Sequence, residues 1–219
     1  MDKIMKTEIS LSNQWVLFGA TSGIIANALF PILIFVPLPG FLEVFFAAMF
    51  GVCYSLLGIG IHHFLKQDQP TIFSQIAAVF ILISGLLFNI MLMIQMTFKG
   101  YLNIFRGQVQ TEEEIALLNW ITKTVDPVHL GIQFSNDFFT ASAMILLSIV
   151  MFRHYAFGKI WSFLGGAIAV ALVVVKCYSF PMTPGEVGIP YVLGPLISLW
   201  FLAVCIKCLL WRKALFSSL

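Results

Sequence analysis

Six long stretches in which almost every position is apolar divide the chain, at about 15–38, 40–64, 72–98, 128–152, 160–180 and 191–211. A helix needs about 20 such residues to cross the roughly 30 Å hydrocarbon core of a bilayer. A spanning strand needs only about ten, in alternation, and these runs are longer and do not alternate. Backbone in lipid must satisfy its own polar groups, so each run predicts a transmembrane helix. The expected fold is an all-α bundle of six spans, a single transmembrane domain over 1–219 with one long outer loop at 99–127. Lys3 and Lys6 precede the first run, as they would in a signal peptide. That run has 24 residues and ends in Pro37-Leu38-Pro39-Gly40 without a small-residue cleavage pattern. A secretory core is about 7–15 residues long, so the run reads as a retained helix.

The polar residues between the spans set an orientation. Lys3, Lys6, Lys66, Arg153, Lys159, Arg212 and Lys213 fall on one side, against Lys99, Arg106 and Lys123 on the other. The short loops Pro39-Gly40 and Pro181–Pro190 carry no Lys or Arg. The positive-inside bias then places both termini in the cytoplasm. Trp15, Trp161 and Trp211 lie near the cytoplasmic ends, as interfacial anchors do. In the 99–127 loop, Thr111-Glu112-Glu113-Glu114 has the form of a capping box. Leu117, Leu118, Ile121 and Val125 follow on one helical face. This predicts a short helix on the outer surface, acting either as a packed connector or as a lid over an outward cavity. Spans 2–3 and 4–5 have a weakly similar layout, each entering with an acid and turning at a His-containing loop, without identities to establish a repeat.

The fourth span carries the most chemistry. His129, Gln133, Asn136, Asp137 and Thr140 share one helical face, while Leu130, Ile132, Phe134, Phe138 and Phe139 occupy the others. Asp137 lies about 14 Å below the outer end at 1.5 Å per residue, where an acid costs roughly 2.5–3.5 kcal/mol on insertion scales. Lys176 in the fifth span is the other deep charge, and pairing the two lowers both costs. Asn27, Glu43, Asn89 and Gln95 also fall in the outer halves of their spans. Asp137, Lys176, His129, Gln133, Asn136, Glu43 and Asn89 are therefore the candidate ligand-binding residues of a shared, outward-opening pocket. The competing reading is a set of interhelical hydrogen bonds and one structural ion pair, with no pocket.

Composition narrows the remaining options. Sixty per cent of the 219 residues are hydrophobic, 10 % are charged, and mean hydropathy is +0.97. A soluble domain has about 25 % charged residues. A net charge of +2 gives no reason to expect nucleic acid. The four cysteines all lie in apolar runs, so no disulfide framework is expected. Cys205-Ile206-Lys207-Cys208 has CxxC form but reads as helix packing, and His62-His63 as an interfacial, solvated pair. Gly19, Gly23 and Gly165-Gly166 read as close helix contacts, and Pro31 and Pro195 as kinks. No HExxH, GxSxG, P-loop or GxGxxG is present, and only His129 lies at depth on the outer side. No catalytic set, metal or cofactor is expected.

The second half resembles a group of bacterial polytopic membrane proteins of unknown function. The likeness rests on Arg153-His154-Tyr155-Ala156-Phe157-Gly158-Lys159, Tyr178-Ser179-Phe180-Pro181, Pro184-Gly185-Glu186-Val187-Gly188, and Gly194-Pro195-Leu196 with Trp200. It covers about 130–212. Such proteins would carry an aromatic residue at 136 and Asn at 176, where this chain has Asn136 and Lys176. The resemblance implies a multi-pass protein of a bacterial inner membrane and no particular activity. The preferred function is binding or transport of a small molecule or lipid through the polar pocket, with Asp137 as anchor. The rivals are a structural or partner-binding membrane subunit, and a membrane-embedded enzyme with Asp137 and His129 as acid and base.

Overall fold

The computed structural model describes residues 2–68, 70–109, 111–189 and 193–217. Six helices follow one another: α1 Asp2–Phe35, α2 Gly40–Leu65, α3 Ile72–Arg106, α4 Glu112–Met151, α5 Gly158–Ser179 and α6 Leu193–Ser217. No strand occurs among the described residues. Each helix is long and apolar enough to cross a membrane. Ile160, Phe163 and Leu210 are 81 %, 75 % and 74 % exposed. Apolar surface on that scale marks a face built for lipid rather than water.

The helices form a ring. α1 packs on α2 and α6, and the contacts continue from α2 to α3, α3 to α4 and α4 to α5, with a thinner α5–α6 seam. Hydrophobic transfer contributes little between helices already in lipid, so close packing and hydrogen bonds must hold them together. At the α1–α2 contact a Cβ on Gly19 would lie 2.5 Å from Gly60 Cα, so the two backbones touch. Across the thin seam, Trp200 fills the space that Gly165 leaves open, and its Nε1 donates to Trp161 O at 3.3 Å. Trp200, Phe201, Phe64, Leu57, Ile61 and Met144 are among the largest fully buried side chains of the core.

The starts of α1, α3 and α5 and the ends of α2, α4 and α6 share one face, called here the terminal face. Ser12 bonds His63 Nδ1 at 2.9 Å, His62 Nδ1 meets Ser74 Oγ at 3.0 Å, and Tyr155 packs on Trp211. His62 and His63 are thus half-buried and partnered by serines, not the solvated pair expected from their place at a span end. Cys205 and Cys208 are free and buried, as helix packing requires. Lys207 lies 4.9 Å from the Trp161 ring centroid, a cation–π contact. Pro190 and the side chains of Lys3, Lys6 and Lys213 lie outside the described residues.

The segment 99–127 departs from expectation. The capping box is present, with Thr111 Oγ1 accepting from Glu114 N at 3.3 Å and Thr111 N donating to Glu114 Oε2 at 3.1 Å. The helix it starts is not separate: it runs through Pro127 directly into the fourth span. A proline inside a helix removes one backbone donor, which a 40-residue helix survives. α3 likewise continues to Arg106. The two helices are about 52 and 60 Å long at 1.5 Å per residue, and they stand beyond the other helices on the far face. Leu117 and Trp120 are exposed there.

Candidate functional site

The polar face of α4 divides between two neighbours. One edge looks at α3. Ser84 Oγ donates to Asn136 Oδ1 at 2.6 Å and meets Thr140 Oγ1 at 2.7 Å. The Tyr54 hydroxyl from α2 joins Thr140 and Ser84. Nearer the far face, His129 Nε2 meets Gln95 Nε2 of α3. The other edge looks at α5, where Lys176 Nζ lies 2.7 Å from Asp137 Oδ2. Both side chains are largely buried, at 11 % and 14 % exposure. Asn136 Nδ2 donates to Asp137 Oδ1 at 3.4 Å, which connects the two edges. A continuous polar path thus runs from Tyr54 through Ser84, Asn136 and Asp137 to Lys176, across four helices.

This arrangement follows from helix geometry. Positions 136 and 140 are one turn apart and stack on one line, while 133 and 137 form the next line about 60–100° around the helix. With α3 and α5 flanking α4, adjacent lines meet different partners. The short Ser84 side chain bonds α4 directly, and Gly85 leaves room for Ser55 of α2, whose Oγ also reaches Leu82 O of α3 at 3.4 Å. Ser55 Oγ donates to Gly51 O at 2.9 Å.

One cavity of about 300 Å³ adjoins this path at the far face. Gln133, Phe134, Lys176 and Ser179 form one side, and Met182, Thr183 and Gly185 from the α5–α6 connection form the other. Thr183 N and Oγ1 donate to Glu186 Oε2 at 2.7 and 2.8 Å, which closes a local turn in that connection. These bonds hold the Glu186 carboxyl below the usual range. Phe134 packs on Phe180 with centroids 4.9 Å apart. No described residue of 99–127 lines the cavity, so of the two expectations for that segment, packed connector or lid, the lid gains no support here. Asp137 also lines a cleft of about 20 Å³ between α5 and α6, room for about one water.

Of the seven candidate residues, Asp137, Lys176, Asn136 and Gln133 come together. His129 pairs with α3 instead. Glu43 makes a surface ion pair with Lys99 at 3.4 Å, and Asn89 Nδ2 donates to Ala48 O at 2.9 Å to join α3 to α2. Asn27, also in an outer half-span, accepts from Ser198 Oγ at 2.8 Å to join α1 to α6. Ser84, Tyr54 and the 182–185 loop were missed by pattern. Serine and tyrosine are common in apolar helices and announce nothing singly. The Pro-Met-Thr-Pro-Gly run one turn past Lys176 was the available signal for the loop.

Among the described residues no group of His, Cys, Asp and Glu has the clustering to hold a metal ion. The fold and this buried polar path define a multi-pass, all-helical membrane protein. No family model, curated protein or solved structure matches the chain.

Proposed function

We propose that this protein binds a small polar molecule, or carries it across the membrane, through the cavity beside Lys176. The observation that carries this reading is the double placement of Lys176. Its ammonium pairs with Asp137, and its side chain also borders the cavity of about 300 Å³. A ligand carboxylate or similar anion entering there competes with Asp137 for that ammonium. Gln133 supplies an amide at the same wall. In this reading Lys176 is the anchor, and Asp137 keeps it charged and positioned while the site is empty. The basic residues around the termini and the resemblance of the second half support placement in a bacterial inner membrane with cytoplasmic termini. The cavity then opens outward.

A second reading has its own support. Asn136, Ser84 and Thr140 satisfy one another, which suits a purely structural role as a subunit. One experiment separates the two. The wild type and the Asp137→Asn, Lys176→Met double variant are purified in detergent. Each is titrated with acetate, succinate, glutamate and phosphate while the unfolding midpoint is followed. Stabilisation of the wild type by one of these anions, absent in the double variant, is the expected result. No response from the wild type, with both proteins equally stable, leaves the structural reading standing.

A further inference from the structure

A second cavity, on the opposite face of the bundle, has no part in the site above. It occupies about 810 Å³ between the start of α3, the last turns of α4 and the first half of α5. α3 and α5 both pack on α4 but scarcely on each other, which leaves a groove along α4. Phe73, Ile145, Ile149, Phe163 and Val170 make its walls apolar. At the terminal face it ends at Arg153 and Thr71. Gly166 keeps it deep: a Cβ there would meet only Ser148, at 3.8 Å.

Two polar features make this more than a gap between helices. Arg153 is exposed at the mouth and takes part in no ion pair among the described residues. Lys159 stands beside it, over the Phe152 ring at 5.8 Å. No acid lines the groove. Asp68, close by in the α2–α3 connection, accepts from Tyr155 N at 3.5 Å, with His154 Nε2 3.9 Å from the same carboxyl. Deeper in, Ser148 is 5 % exposed and its Oγ has no hydrogen-bond partner. The neighbouring Ser162 hydroxyl is already used, donating to Ser148 O at 2.6 Å. Ser148 lies five residues from Arg153, about 7.5 Å along the helix. An unmatched hydroxyl in an apolar wall is costly unless an acceptor arrives from outside the chain.

We propose that this groove is a binding site for an anionic phospholipid. The phosphate sits on Arg153 with Lys159 adjacent. A glycerol ester carbonyl accepts from Ser148 Oγ, and one acyl chain lies along the groove beside Gly166. The order of groups from the terminal face inward is cation, hydroxyl donor, apolar channel. A phospholipid presents anion, ester acceptor and hydrocarbon in that same order. Basic pockets between helices at the cytoplasmic surface are a known setting for acidic headgroups.

The test uses the full chain in nanodiscs of dioleoylphosphatidylglycerol and dioleoylphosphatidylcholine at equal molar ratio. It is followed by mild detergent extraction and mass spectrometry of the intact protein with its retained lipid. The wild type should retain phosphatidylglycerol over phosphatidylcholine by roughly fivefold, the effect of about one basic residue at a membrane surface. Arg153→Gln, a change at an exposed side chain, should keep a retained lipid and lose the preference. Gly166→Leu should fill the groove and retain neither lipid. Equal retention of both lipids by the wild type overturns the proposal, as does an undiminished preference in Arg153→Gln. A wild-type dimer that Gly166→Leu dissociates overturns it too, because a second copy would then cover the groove.

Discussion

Lys176 Nζ and Asp137 Oδ2 are 2.7 Å apart with both side chains almost enclosed by helices. Removing one member of such a pair strands the other charge, which typically costs about 3–5 kcal/mol. Asp137→Asn should therefore lower the unfolding free energy in detergent by about that amount. Lys176→Met in the same chain should recover most of it. A double variant as unstable as the single one would show that the cost lies elsewhere than in the stranded ammonium.

The Gly19–Gly60 contact predicts an asymmetry between glycines. Gly19→Ala places a methyl 2.5 Å from the Gly60 backbone, and overpacking of this kind typically costs about 1–3 kcal/mol. Gly131→Ala meets nothing within 4 Å, and a helical Gly→Ala change favours the helix by up to about 1 kcal/mol. The two variants should shift the melting midpoint in opposite directions.

His154 predicts a pH dependence. Ala156 N–H donates to its Nδ1 at 3.1 Å, so the folded ring is neutral with its proton on Nε2. Burial lowers its pKa below the ordinary value, with Asp68 opposing in part. The unfolded chain then binds more protons than the folded one just below about pH 6.5. Stability rises with pH through that window, is complete above it, and falls as the solution is acidified. His154→Gln keeps an acceptor and does not titrate. The wild type should lose stability more steeply than this variant between pH 7 and 5 in matched melts.

Orientation is tested by a single cysteine at Gln108, in the far-face turn, in a chain whose four native cysteines are replaced by serine. An impermeant maleimide should label it in intact cells, and a carboxyl-terminal reporter should be active only in the cytoplasm. Labelling of Gln108→Cys only after the cells are opened would reverse the assignment drawn from the basic residues.

The six helices were legible because a membrane demands long apolar runs and nothing else in the chain imitates them. Asp137 and Lys176 were legible as partners because two charges at depth have few other ways to be accommodated. The division of the α4 face was not. His129, Gln133, Asn136, Asp137 and Thr140 share a face by spacing, but spacing says nothing of where α3 and α5 stand, and that decides which residues meet. Glu43 and Asn89 were grouped with them by depth alone, and each instead closes a local contact. The capping box at Thr111 was read correctly as a helix start. Its helix was expected to be short and separate, yet it continues through Pro127 into the fourth span, since a proline within a long helix is tolerated.

The unequal helix lengths have a mechanical consequence. α3 holds no proline and runs 22 residues beyond Ser84, about 33 Å at the helical rise, while Ser84 is hydrogen-bonded to Asn136 beside the ion pair. A tilt of about 5° at Ser84 sweeps the far tip of so rigid a rod through about 3 Å. A rearrangement of the buried pair that tilted α3 would thus be enlarged at the hairpin tip, where Arg106 and Gly107 turn toward α4.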